Sequence, residues 1–120
     1  MKDTVFIVDD EEFIHQLYKD ILEFNGFTVV GDAYDGAQAV ERFREMAKRP
    51  SIIIMDHRMP KKDGVETTME MKRIDPSVKV IFASADSTVR EKALSVGADF
   101  FLIKPFKIQE LIAAIRSLSG

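Results

Sequence analysis

The chain has 120 residues, 46% hydrophobic and 31% charged, which suits one globular domain with its own core and is too apolar for a disordered chain. Its net charge of −3, with both signs interspersed, gives no reason to expect direct nucleic-acid binding. The absence of cysteine excludes disulfides and thiolate metal sites, and no apolar run is long enough to span a membrane.

Met1-Lys2-Asp3 leads straight into a strand-like run rather than a signal peptide, so the expected setting is cytoplasmic. That first strand, Val5-Phe6-Ile7-Val8, runs into Asp9-Asp10. A helix follows in which Phe13, Leu17 and Ile21, flanked by Ile14, Tyr18 and Leu22, form one broad apolar stripe. Gly26 stands where this helix should end in a left-handed residue. Phe27-Thr28-Val29-Val30 is the second strand. Asp35 and Gln38 open the second helix in a capping-box-like way, with Ala37, Val40, Phe43 and Ala47 as its stripe and Pro50 beyond its end. Ile52-Ile53-Ile54-Met55 is the third strand, ending on Asp56. Pro76 follows the third helix, and Val78-Lys79-Val80-Ile81-Phe82 continues to Ala83-Ser84. Gly97 closes the fourth helix. Phe100-Phe101-Leu102-Ile103 ends at Lys104-Pro105, and Leu111, Ile112, Ile115 and Leu118 mark the last helix. Lys107 occupies the place where a capping Ser, Thr or Asp is favoured, which leaves the start of that helix open.

Most of these runs are continuous rather than alternating, as expected for strands covered on both faces. Five strands alternating with five helices predict one α/β domain over residues 1–120, a doubly wound parallel sheet with helices on both sides. Right-handed crossovers then put every strand C-terminus at one edge, where such sheets bind ligands. Asp9, Asp10, Asp56, Ser84 and Lys104 all fall there. Three carboxylates repel one another unless a cation offsets them, and an all-oxygen site suits Mg²⁺ far better than zinc. A carboxylate nucleophile, a divalent metal, a lysine and a short hydroxyl donor together match phosphoryl transfer onto an aspartate. Singly these signals are weak. Asp9-Asp10-Glu11-Glu12 would suit a solvated helix start on dipole grounds alone, and Lys104-Pro105 could be a simple turn. Asp56, directly after four large apolar residues, is costly to desolvate without a purpose.

At these residues the sequence resembles the CheY-like receiver domains of two-component response regulators. Val8-Asp9-Asp10-Glu11, Met55-Asp56, Met59-Pro60-Lys61-Lys62-Asp63-Gly64, Ala83-Ser84-Ala85, Gly97-Ala98-Asp99 and Lys104-Pro105-Phe106 carry the resemblance, in order and at compatible separations. It implies strand order 2-1-3-4-5 and a cis Lys104–Pro105 bond. It also implies that Asp56 is phosphorylated by a sensor histidine kinase. By the same resemblance Asp10, Asp56 and the backbone carbonyl of Arg58 hold Mg²⁺, with Asp9 assisting directly or through water. Lys104 pairs with Asp56 and then with the phosphoryl group, Ser84 moves to bond a phosphoryl oxygen, and Phe101 takes the place of the switch aromatic. Phe101 lacks the hydroxyl of the more common tyrosine or histidine, so packing alone would provide its bias; otherwise it is a core phenylalanine.

Arg58 and Asp86 lie two residues beyond Asp56 and Ser84, where they flank the pocket in this family. They are expected to approach across its mouth and slow hydrolysis of the acyl phosphate; the plain alternative is two unrelated solvated charges. His57 neighbours the nucleophile only along the chain, and alternation on a strand makes it a sheet-face or rim residue. The expected role is a stand-alone, phosphorylation-dependent protein-binding switch, not an enzyme apart from its own phosphorylation and autodephosphorylation. A downstream protein would dock around Arg90, Ser95, Phe101 and Lys107, and the chain would be a monomer or a phosphorylation-dependent homodimer. The alternative is the receiver part of a DNA-binding transcriptional regulator, acting by dimerisation, although no basic recognition helix is present. An aspartyl-phosphate phosphohydrolase would want a second acid where Arg58 stands. A flavodoxin-type cofactor binder would want a phosphate-cradling loop where Asp9 and Asp10 stand.

Overall fold

The five apolar runs pair into one parallel sheet in the computed structural model, which describes residues 3–119. The strands are β1 (Thr4–Val8), β2 (Thr28–Ala33), β3 (Ile52–Asp56), β4 (Lys79–Ser84) and β5 (Phe100–Ile103). The helices are α1 (Glu12–Phe24), α2 (Gly36–Glu45), α3 (Gly64–Ile74), α4 (Arg90–Ser95) and α5 (Ile108–Leu118), with a 3-10 turn at Ser87–Val89. Strand order is β2-β1-β3-β4-β5, so the winding reverses beside β1 and β3, at the predicted ligand edge.

Alternation along the strands divides the core in two. Phe6, Val8, Ile53, Met55, Val80 and Phe82 face α2, α3 and α4; Val5, Ile7, Ile52, Ile54 and Ile81 face α1 and α5. Register sets the chemistry at the edge. Val8 pairs with Met55, Asp56 with Ala83, and Ser84 with Ile103, which lines up Asp9, Asp56, Ser84 and Lys104 along four adjacent strands. The Lys104 N–H donates to the Ser84 carbonyl at 2.9 Å, and the Lys104–Pro105 peptide is cis, as the resemblance implied.

Local signals hold in most places. Gly26 and Gly97 have φ of 89° and 113°, the left-handed turns expected of them. Asp35 caps α2 by accepting from Gln38 N–H at 2.7 Å, while the Gln38 side chain accepts from Tyr34 N–H at 2.8 Å, one residue short of a reciprocal box. Lys107 precedes α5, and Glu110 reaches back to its N–H at 3.2 Å, doing the work a shorter capping residue would share.

Three expectations are corrected. The broad stripe on α1 is not all core: Tyr18 and Leu22 are buried, whereas Phe13 is 71% exposed and Leu17 37%. Ala47 lies beyond α2, which stops at Glu45. β2 runs to Ala33 rather than Val30, because pairing with β1 carries the edge strand through Gly31 and Asp32.

Lys61, in the loop before α3, is the one described non-glycine residue with positive φ, at 70°. A side chain there costs about 1–2 kcal/mol, and its ion pair to Asp35, 3.8 Å long with Lys61 69% exposed, returns little. Lys61→Gly is therefore expected to stabilise the fold by roughly 0.5–1 kcal/mol, read as a higher urea midpoint with unchanged slope.

Candidate functional site

A cleft at the C-terminal edge is lined by Asp10, Glu11, Asp56, Arg58, Ser84, Ala85, Asp86 and Lys104. Asp56 closes β3 with its side chain 13% exposed. Asp9 follows β1 directly and is buried, while Asp10, one residue on, is exposed. The loop leaves this edge sharply: Gly64 N–H donates to the His57 carbonyl at 2.8 Å, and a Cβ on Gly64 would collide with the Asp56 carbonyl.

Carboxylate oxygens of Asp9, Asp10 and Asp56 lie within 4.8 Å of one another. Burial lifts the Asp9 carboxyl above the usual carboxylate range, and the charges of Asp56 and Asp10 push the same way. The Glu11 N–H, donating to Asp9 Oδ1 at 3.0 Å, and the Lys104 charge pull back without cancelling this. Lys104 Nζ donates to Asp56 Oδ1 at 3.0 Å and stands 3.6 Å from Asp9 Oδ2. Burial disfavours its charge, but the bond to Asp56 and the two carboxylates outweigh that and hold it above the ordinary lysine value.

Three carboxylates against one ammonium leave a formal charge of −2 among these four side chains. An all-oxygen donor set with that excess fits a hard divalent cation such as Mg²⁺.

The remaining expected residues surround this cluster. Ser84 is buried, and its Oγ accepts from the Asp86 N–H at 3.0 Å, which leaves the hydroxyl hydrogen free to donate. Phe101 is half-buried and stacks on Phe82 with centroids 5.8 Å apart, on the sheet face that Ser84 shares. Arg58 Nη2 comes to 4.0 Å from Asp86 Oδ2 across the mouth, with Arg58 84% exposed. The Thr88 hydroxyl, at 2.5 Å, and N–H, at 2.9 Å, hold the Asp86 carboxyl below its usual range, Arg58 adding less. Asp86 is thus the fixed member of the pair and Arg58 the free one. His57 points away from Asp56, to the face of Phe82 and Phe101, and packs on Phe82 with centroids 5.6 Å apart, outside the cleft lining.

One contact has no counterpart in the sequence reading. His15 on α1 is buried, with Nε2 2.7 Å from the Asp9 carbonyl oxygen. The available signal was its spacing, since residues 15, 18 and 22 share the buried side of α1.

Comparison with known proteins agrees with this geometry. The family model described as the response regulator receiver domain matches residues 5–116. The chain is 39% identical over 118 residues to the chemotaxis protein CheY of Bacillus subtilis, covering 97% of both chains. It is 41% identical over 114 residues to the transcriptional regulatory protein PdtaR of Mycobacterium tuberculosis, covering 93% of this chain and 54% of that one. Among solved structures, a CheX–CheY–BeF3–Mg²⁺ complex from Borrelia burgdorferi matches with a TM-score of 0.90 and 28% identity, over 97% of this chain and 88% of that one. The family match and the fold agree: the chain belongs to the response regulator receiver domain family and is CheY-like in fold.

Proposed function

We propose that Asp56 takes a phosphoryl group from the phosphohistidine of a sensor histidine kinase, in a Mg²⁺-dependent reaction, and that phosphorylation switches binding of a downstream protein. The observation that carries this is Asp56 itself, a strand-end carboxylate held by Lys104 at 3.0 Å within a cluster of two further carboxylates. A carboxylate oxygen of Asp56 bonds to phosphorus as the N–P bond breaks, and the departing imidazole keeps the electron pair and takes a proton. Mg²⁺, held by Asp10, Asp56 and the Arg58 carbonyl with Asp9 behind, would offset repulsion between carboxylate and phosphoryl oxygens. Lys104 neutralises charge on the transferred group, and Ser84 donates its free hydroxyl hydrogen to a phosphoryl oxygen. The Mg²⁺ and the CheX partner of the Borrelia burgdorferi relative support the metal and the protein-binding parts of this reading.

Phe101 would follow Ser84 by packing, since its register partner Phe82 shares the sheet face of Ser84, two residues along β4. A near-complete reversal of a two-state surface needs about 5.5 kcal/mol, which charge-assisted hydrogen bonds plus aromatic packing can supply. The surface that would change includes Phe101 and the exposed Arg90, Ser95 and Lys107. The match to half of a transcriptional regulator favours one second reading, in which the same chemistry controls dimerisation of a longer protein. Whether the reading frame continues past Gly120 separates the two.

Labelled phosphoryl transfer from candidate kinases tests the reading: wild type is expected to label in Mg²⁺ and Asp56→Asn to stay unlabelled, and equal labelling of both overturns it. Arg58→Ala should shorten the phosphoryl lifetime. An exposed pair 4.0 Å apart is a weak restraint, so the expected acceleration is modest, roughly 1.5- to 5-fold. An unchanged lifetime would remove Arg58 and Asp86 from the mechanism.

A further inference from the structure

We infer that His15 is a positioning residue for the metal-binding aspartates, locking the Asp9–Asp10 peptide through its bond to the Asp9 carbonyl. The inference rests on the Mg²⁺ reading above and adds a residue outside the cleft to it.

A peptide unit is planar and carries the Cα atoms of both its residues. The Asp9 carbonyl belongs to the unit that joins Asp9 to Asp10, two of the three clustered carboxylates. An uncompensated change in the torsions flanking that plane would move one side chain relative to the other. Asp9 N–H is secured to the Ala33 carbonyl at 3.1 Å, but Asp9 ends the β1 pairing with β3, which stops at Val8 and Met55. Beyond that point the sheet no longer orients the backbone. His15 does so, one helical turn into α1.

Its own orientation is fixed by two contacts. The ring stacks on Tyr34 with centroids 4.1 Å apart and planes 25° from parallel. Nε2 is 2.7 Å from the Asp9 carbonyl, which only accepts, so Nε2 carries the hydrogen. Nδ1 stands 3.4 Å from Asp32 Oδ2 without a hydrogen bond to it. α1, the end of β2 and the acidic loop thus meet at one imidazole. Any buried imidazole must satisfy its N–H; what marks a positioning role here is the acceptor, the carbonyl of the peptide that joins two of the clustered aspartates.

The test compares side chains of similar length that differ in that donor. Mg²⁺ alone is titrated into wild type, His15→Gln and His15→Met, following backbone amide shifts of Asp10 and Glu11 by NMR, with thermal unfolding as a fold control. His15→Met is expected to bind Mg²⁺ about tenfold more weakly than wild type, and His15→Gln within about threefold of it. His15→Phe, which keeps the stacking on Tyr34, repeats the comparison if His15→Met lowers the folded population. Binding by the donor-less variants within twofold of wild type overturns the inference, as does a glutamine variant as weak as the methionine one. Wild type without saturable Mg²⁺ binding overturns the metal reading itself, and His15 positioning falls with it.

Discussion

Lys104→Met should slow phosphoryl transfer onto Asp56 by about 10²–10³-fold, the loss typical of removing one preorganised charge donor from a transition state. Methionine keeps the length of the side chain and removes the ammonium that now lies 3.0 Å from Asp56 and 3.6 Å from Asp9. The same change leaves three clustered carboxylates with no cation in contact, which strains the resting protein. Losing one partner of a fully buried pair costs about 3–5 kcal/mol. Here Lys104 is 28% exposed and Asp56 13%, so screening reduces the expected loss to about 1–2 kcal/mol. Mg²⁺ should restore much of that stability but not the transfer rate. Urea unfolding with and without Mg²⁺, set beside a labelling time course, separates the two effects.

Asp9→Asn should act in the opposite sense on the metal-free protein. Asparagine keeps an oxygen for the Glu11 N–H and removes a charge that burial and two neighbouring carboxylates disfavour. The folded state raises the pKa of Asp9, so it binds that proton more tightly than the unfolded chain does. The resulting stabilisation is present below the unfolded pKa and is lost as pH rises through the folded one. At neutral pH wild type has lost it and the variant never depended on it. The variant is therefore expected to be more stable by on the order of 1 kcal/mol at neutral pH, with the difference fading toward about pH 3.5. Saturating Mg²⁺ should reverse the order, since a ligand at 100 times its dissociation constant adds about 2.7 kcal/mol and the variant binds it less well. Denaturant midpoints across pH, with and without Mg²⁺, check both halves.

The cluster was legible because each central strand is an unbroken apolar run that ends on a polar residue. Ile52 to Met55 reads as a strand covered on both faces, which puts Asp56 at its mouth, and parallel winding brings Asp9, Ser84 and Lys104 alongside. α1 was legible only in part. Its apolar positions are more numerous than one buried face can take, and periodicity alone does not say that Tyr18 and Leu22 go in while Phe13 stays out. The contacts of His15, unlike its burial, were invisible for a related reason: its partners, the Asp9 carbonyl and the Tyr34 ring, are a backbone atom and a residue across the sheet edge. Nor does composition reveal the left-handed Lys61, since a lysine fits that loop as readily as any surface residue until the backbone angle is known.

Asp56 as the phosphoryl acceptor is tested most directly by locating the acyl phosphate chemically. Protein phosphorylated by a histidine kinase is reduced with borohydride, which converts an aspartyl phosphate to homoserine, then digested and sequenced by mass spectrometry. Homoserine at position 56 alone is the expected result; homoserine at position 9 or 10, or none in a protein that carries the label, would contradict it.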